Sequence, residues 1–179
     1  MKKIIPFILM ILLSNIIISQ GQKTEPNQSN AEIFSFRSGS LIEKQFKEVG
    51  KVGKTEIKIV KLTDMISGES VSSLRIQRAF IGKYNSDTKI ASLDTDEIDA
   101  LVKSIEIIQK QVFDFPPENY TEISFRSRSG FVAGCYWSKD SWKPYIQIKK
   151  HDGKSLLTIS KSDFLILLEL LKQAKNELN

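Results

Sequence analysis

The chain has 179 residues, 41% of them apolar, so it can bury the core of one domain and is too short for two of ordinary size. Its 26 basic and 21 acidic residues give a net charge of +5. A single cysteine excludes an internal disulfide, and with a single histidine a zinc site would need carboxylates to complete its ligands.

The first 21 residues have the pattern of a secretory signal peptide. Lys2 and Lys3 precede an uncharged run of 15 residues, 4–18, and the small residues Ser19 and Gly21 follow it. A membrane-spanning helix needs about 20 apolar residues, so this run is too short to stay as an anchor. The sequence therefore predicts cleavage near Gly21, export to the periplasm or the medium, and no membrane span in the mature chain. Without Lys2 and Lys3, 24 basic and 21 acidic residues leave a net charge of +3. This weak electrostatic drive, together with export, disfavours nucleic acid as a partner.

Residues 22–32 are almost entirely polar and are expected to form a flexible leader to a single domain over 33–179. Across 41–93, apolar and polar residues alternate in short runs such as 56–59 and 74–77, separated by turn residues. This pattern is typical of half-buried strands joined by hairpins, and it predicts four antiparallel strands.

The periodicity changes after residue 94. Apolar residues recur at helical spacing from Ile98 to Val112, which predicts an amphipathic helix that ends before Pro116. A second strand series and a closing helix over 163–178 follow. The four further strands are predicted at 123–127, 131–138, 145–149 and 156–159. We therefore expect an α+β fold, with a mainly antiparallel sheet of about eight strands and two helices on one face.

The two halves of the domain, 41–115 and 119–179, have the same predicted order of a four-strand meander and a helix. Asp94 and Ser160, which are 66 residues apart, each start a capping box with an acid three residues later. A tandem duplication and the independent repetition of one layout both stay open. The layout resembles the TATA-binding-protein-like and β-lactamase-inhibitor-protein-like architectures, which also repeat a four-strand-and-helix unit. Since the resemblance rests on no motif, it implies no functional residue.

Several short motifs suggest chemistry and are better explained as structure. Gly53-Lys54-Thr55 matches the end of a phosphate-binding loop, but Glu48 stands where that loop needs glycine. The acids of 94–99 suit a helix N-terminus and lack the glycine-bearing loop of an EF-hand. Cys135 falls on the apolar side of its predicted strand, and 151–153 is typical of a hairpin turn. The sequence therefore predicts no catalytic residue, no cofactor and no metal site.

Strand alternation in the second series turns a basic and aromatic set outward, around the small residue Gly134. The predicted ligand-binding residues are Arg126, Arg128, Tyr136, Tyr145 and Lys149. Guanidinium, ammonium and phenol groups bind carboxylates, phosphates or sugar rings through bidentate hydrogen bonds and stacking. The alternative is an ordinary solvated face, because antiparallel sheets commonly leave one side in water.

The function we predict from the sequence is an exported, non-enzymatic binding or inhibitor-like module. It would recognise an envelope or extracellular protein, peptide or glycan through this sheet face. Two other functions stay open. A thiol hydrolase would use Cys135 as nucleophile and His151 as base. A structural envelope protein would self-associate through the closing helix, where 164–168 is apolar on every side.

Overall fold

A computed structural model describes residues 28–82 and 85–178. The predicted signal peptide, 1–21, and residues 22–27 of the predicted leader lie outside this part of the chain. The described chain forms three α-helices and eight strands, which confirms the predicted α+β class and the number of strands. In chain order they are α1 (Asn30–Ser35), β1 (Ile42–Val52), β2 (Thr55–Asp64), β3 (Ser70–Ile81), β4 (Ser86–Asp94), α2 (Thr95–Ile107), β5 (Glu122–Arg126), β6 (Val132–Ser138), β7 (Ser141–Gln147), β8 (Leu156–Thr158) and α3 (Lys161–Leu178). A π-helical turn (Ile108–Val112) extends α2, and a 3-10 turn (Gly153–Ser155) precedes β8.

The eight strands form two antiparallel sheets of four, in the orders β1-β2-β3-β4 and β5-β6-β7-β8. Each sheet is a meander, because every strand pairs with its neighbours in the sequence. Strands of the first sheet have 9 to 12 residues and those of the second have 3 to 7. A helix follows each meander, so the predicted strand-and-helix units are present, and each unit has a sheet of its own.

Helices α2 and α3 pack against each other and connect the two sheets. Helix α2 contacts β3, β4, β5 and β6, and α3 contacts β1, β2, β3 and β7. The apolar stripe of α2, at Ile98, Leu101 and Ile105, is buried in the same cluster as Phe164 of α3 and side chains from both sheets. In the apolar segment 164–168, Leu165 and Ile166 are exposed, so this part of α3 is buried on one side only.

Helix α1 lies on the opposite side of the first sheet, where Phe34 joins Leu62 of β2 in a second apolar cluster. Ser29 Oγ accepts a hydrogen bond from the Glu32 N–H, and the Glu32 carboxylate accepts one from the Ser29 N–H. This capping box starts the helix inside the predicted leader, 22–32. Helical structure is therefore present within a segment whose polar composition predicts a leader, because a cap satisfies its backbone and one aromatic side chain anchors it.

An ionic cluster joins the two sheets at the start of α2, and we call it the Asp94 junction. Its members are Asp94, Asp96, Glu97 and Arg128. Asp94 is the last residue of β4 and the N-cap of α2. Its carboxylate also accepts hydrogen bonds from the N–H groups of Asn30, at 2.7 Å, and Ala31, at 3.2 Å, in the first turn of α1. One buried carboxylate thus binds the first turn of α1 at the point where α2 begins.

Arg128 supplies the positive charge of the Asp94 junction. Its Nη2 donates to Asp94 Oδ2 at 2.8 Å, and its Nη1 donates to Asp96 Oδ2 at 3.0 Å. Its backbone N–H donates to Glu97 Oε1 at 2.6 Å. The hydrogen bond from Arg128 lowers the pKa of Asp96. The junction therefore fastens the turn between β5 and β6 to the first sheet and to both helix starts.

The position of Arg128 corrects its predicted place on the outward face beside Arg126. Strand β5 ends at Arg126, so the alternation that predicted this position does not extend to Arg128. The turn closes with a hydrogen bond from the Ser127 N–H to the Phe131 carbonyl, at 2.9 Å, and Gly130 has a φ of +87°. Beyond the end of a strand, side chains no longer alternate between the two faces of the sheet. Here the turn directs the Arg128 guanidinium to the carboxylates at the edge of the first sheet.

A second ion pair fastens the other turn of the second sheet to β4. Lys89 of β4 lies 2.7 Å from the carboxylate of Asp152, in the turn between β7 and β8, and 2.5 Å from that of Asp87. The hydrogen bond from Lys89 lowers the pKa of Asp152. Strand β4 therefore runs beside the end of the second sheet that holds the β5–β6 and β7–β8 turns. It contacts that end at Asp94 and at Lys89.

Replacement of Arg128 by glutamine tests the Asp94 junction. The side chains of Asp94 and Glu97 are only 6% and 9% exposed, so both would lose their countercharge in a largely desolvated setting. Because Arg128 itself is 41% exposed, we expect Arg128→Gln to lower the free energy of unfolding by about 2 kcal/mol, less than for a fully buried pair. Urea denaturation followed by circular dichroism measures this loss. The matched control Arg126→Gln should change it by less than about 0.5 kcal/mol, and equal losses in the two variants would contradict the assignment.

Candidate functional site

The outer face of the second sheet points away from α2 and α3 and carries three of the predicted binding residues. Strand pairing arranges its side chains in three rows that cross the strands, about 7 Å apart. The first row holds Arg126, Val132, Gln147 and Leu156; the second holds Ser124, Gly134, Tyr145 and Thr158; the third holds Glu122, Tyr136 and Lys143. Arg126, Tyr136 and Tyr145 therefore share one face, as strand alternation predicts.

Tyr145 forms the centre of this face. Its hydroxyl donates a hydrogen bond to the Glu122 carboxylate on β5, so its side chain reaches across the intervening strand β6. Gly134 lies directly opposite Tyr145 on that strand. A Cβ at Gly134 would lie 2.3 Å from the Ile123 carbonyl oxygen, so only glycine fits at this approach of β5. The Tyr136 ring packs beside the Tyr145 ring, with centroids 6.0 Å apart and planes tilted by 50°.

The phenol of Tyr145 is a fixed, neutral group. The residue is only 5% exposed. Burial, and then its hydrogen bond to Glu122, raise the pKa of Tyr145 to about 12. The hydroxyl therefore keeps its proton at physiological pH, and its donation to Glu122 holds the ring in place.

Around these rings the face forms a depression of about 350 Å³. Its lining residues are Tyr120, Glu122, Arg126, Val132, Tyr136, Tyr145, Gln147 and Leu156. Val132 is buried at the floor, and Leu156 is 48% exposed at the rim. The guanidinium of Arg126 makes no ion pair or hydrogen bond with any described residue. The depression thus offers an unpaired guanidinium, a carboxamide and phenol rings over a small apolar floor, which can hold a side chain or a single sugar ring.

Two of the five predicted binding residues lie elsewhere. Arg128 belongs to the Asp94 junction. Lys149 follows the end of β7 at Gln147, and its backbone N–H donates to Ser155 Oγ at 3.0 Å. Its side chain lines a different depression, beside Ser129 and β4. Lys149 therefore does not reach the outer face, because its strand ends two residues earlier than predicted.

The face also includes residues that the prediction left out. Glu122 lies four residues before Arg126 on β5 and therefore on the same face of the strand, so alternation alone is sufficient to predict it. Strand alternation places Gln147 on the same side as Tyr145, but Gln147 is not among the predicted binding residues. Leu156 carries no such signal, because β8 has only three residues and its register depends on the pairing with β7.

Cys135 lies on the inner side of β6 and has no exposed surface, as strand alternation predicts. Burial raises the pKa of its thiol to about 12, whereas a nucleophilic cysteine needs a lowered value. His151 is exposed in the turn between β7 and β8, with a φ of 60°. The thiol is therefore protonated at neutral pH and shielded by the core.

Among residues 28–82 and 85–178, no helix is long and apolar enough to cross a membrane. The same part of the chain holds no group of three or more histidine, cysteine or acidic side chains suited to a metal ion. No family model and no curated protein matches the chain. Inference about its function therefore rests on the chemistry of its own side chains.

The burial of Cys135 predicts a specific thiol chemistry. At pH 8 the native protein should react with Ellman's reagent at less than about a hundredth of the rate of a free cysteine, because the thiolate is both scarce and shielded. In urea the same chain should release one equivalent of the coloured thiolate. Absorbance at fixed time points measures both reactions, with Cys135→Ser as the blank. A fast stoichiometric reaction of the native protein would instead support an accessible, catalytic thiol.

Proposed function

We propose that this chain is an exported, non-enzymatic binding or inhibitor-like module that recognises a protein, peptide or glycan through the outer face of the second sheet. One observation carries the proposal. Arg126, Tyr136 and Tyr145 meet around a depression of about 350 Å³ on a rigid antiparallel sheet. Export is part of the proposal and rests on Lys2, Lys3 and the uncharged run 4–18.

The arrangement favours binding because its groups are held in position before a ligand arrives. Tyr145 is anchored to Glu122, and Tyr136 packs against it, so little side-chain entropy is lost on contact. Arg126 has a guanidinium available for bidentate contact with a carboxylate or a sugar hydroxyl. Tyr136 and Leu156 add apolar surface that a ligand can cover.

The state of the Tyr145 phenol favours a binding role over proton transfer. The pKa of Tyr145 is shifted away from neutrality, whereas a general acid or base works best with a pKa near the working pH. The hydroxyl of Tyr145 is also engaged with Glu122. These features suit a fixed recognition platform.

Capture experiments with matched variants test the proposal. The chain from Gln22 onward, tagged and cross-linked in the envelope fraction of its host, is compared with Arg126→Gln/Tyr136→Leu and with Lys103→Gln. Lys103 is exposed on α2, which packs on the inner side of the second sheet, opposite the outer face. Its replacement changes the net charge by the same amount as the face variant. Mass spectrometry identifies protein and peptide partners, and the same three proteins on a glycan array report sugar ligands.

We expect one ligand to be held by the unmodified chain and by Lys103→Gln and to be reduced at least about tenfold with the face variant. Circular dichroism and urea midpoints must be equal for all three proteins, so that unfolding does not explain the loss. Equal capture by all three proteins, or no ligand in either format, would contradict a binding role for this face.

A further inference from the structure

A second depression, of about 380 Å³, lies between one end of the first sheet and the turn that precedes β8. At this end of the sheet β3 finishes and β4 begins. Among the residues that the structure describes, four basic side chains line the depression, and we call it the cation pocket. They are Lys54, Arg78, Lys89 and Lys154. They come from four separate segments: the hairpin between β1 and β2, strands β3 and β4, and the 3-10 turn Gly153–Ser155. The fold, rather than any local run of sequence, brings these charges together.

Two of these cations stand directly opposite each other. Arg78 of β3 pairs in register with Lys89 of β4. Both continue the core-facing side of their strands, beyond the buried residues Ile76 and Ala91. Like charges directly across an antiparallel pair are destabilising, and core-facing positions are ordinarily apolar. Asp87 and Asp152 offset this repulsion at Lys89, whereas Arg78 has no carboxylate partner among the described residues.

The carboxylates nearby neutralise only part of the charge. Asp87 and Asp152 both contact Lys89. Arg78, Lys54 and Lys154 make no ion pair with a carboxylate among the described residues. Counted over the described residues, four cations against two carboxylates leave a charge of +2 around the pocket. The Arg78 guanidinium lies over the Phe80 ring, 5.4 Å from its centroid, which steadies it beside the cavity.

We propose that the cation pocket binds a phosphate-bearing group that carries about two negative charges. A carboxylate carries one charge and is satisfied by a single guanidinium, whereas a phosphomonoester carries about −1.5 to −2 and three acceptor oxygens. Guanidinium and ammonium groups on several sides of one cavity match such an ion. The cavity volume also leaves room for the group to which the phosphate is attached.

This site does not depend on the proposed function, because it lies at the first sheet and shares no lining residue with the outer face. It also differs from a phosphate-binding P-loop. Lys54 follows Gly53, whose φ is +56°, in a strand-to-strand hairpin, and no helix begins there. The charges act from side chains rather than from a row of backbone amides.

Calorimetric titration with inorganic diphosphate at low salt tests the proposal. The triple variant Lys54→Gln/Arg78→Gln/Lys154→Gln leaves the Lys89 ion pairs intact. Its matched control, Lys61→Gln/Lys103→Gln/Lys110→Gln, removes three charges at exposed positions outside the pocket. We expect the unmodified chain and the control to bind diphosphate, and the triple variant to bind at least about tenfold more weakly. Acetate, with one charge, should not compete.

Vesicles distinguish a soluble phosphate compound from a lipid headgroup. Co-sedimentation uses phosphatidylcholine vesicles with phosphatidic acid, a phosphomonoester, or with phosphatidylglycerol, which carries one charge. Binding to phosphatidic acid that falls with Ile81→Asn would assign a lipid headgroup, since Ile81 is 86% exposed and lines the pocket. Diphosphate binding without vesicle binding would assign a soluble ligand. The proposal is overturned if diphosphate does not bind, or if the triple variant and its control bind it equally.

Discussion

The carboxylate of Asp94 is the contact on which the arrangement of the molecule depends. It lies at the N-cap position of α2, accepts two N–H groups of α1 and pairs with Arg128 from the second sheet. No described strand of one sheet pairs with a strand of the other, so apolar packing against α2 and α3 is the main alternative link. Apolar packing is strong and non-directional, whereas charge-assisted hydrogen bonds fix register and angle. The Asp94 junction therefore sets where the second sheet sits.

That placement creates the two surfaces to which we assign binding. With its β5–β6 turn held at Asp94, the second sheet turns its inner side to the helices and leaves Arg126, Tyr136 and Tyr145 facing outward. With its other turn held by the Lys89 and Asp152 ion pair, the 3-10 turn brings Lys154 toward Arg78. The same contacts that stabilise the fold thus shape both the depression on the outer face and the cation pocket.

The alternation of residues in strands and the spacing of apolar residues in helices are enough to predict part of the fold and of the candidate site. The fold class, eight strands, the helix after residue 94 and the shared face of Arg126, Tyr136 and Tyr145 follow from them. Arg128 and Lys149 were misplaced because each lies two residues beyond the end of its strand, where parity has no meaning. The division into two sheets and the cation pocket depend on contacts between distant segments. Helix α1 had a readable signal, the capping box of Ser29 and Glu32, inside a segment whose polarity pointed to a leader.

Amide hydrogen exchange in Asp94→Asn, read residue by residue by NMR, tests the role of the junction most directly. The control is Asp99→Asn, since Asp99 pairs with Lys175 on the exposed side of α2. The role assigned to Asp94 predicts that the amides of Asn30 and Ala31, together with the β5–β6 turn at Arg128, exchange at least about tenfold faster in Asp94→Asn while core strand amides stay protected. Equal protection at these sites in the two variants would contradict it, because α1 and the turn would then be held without Asp94.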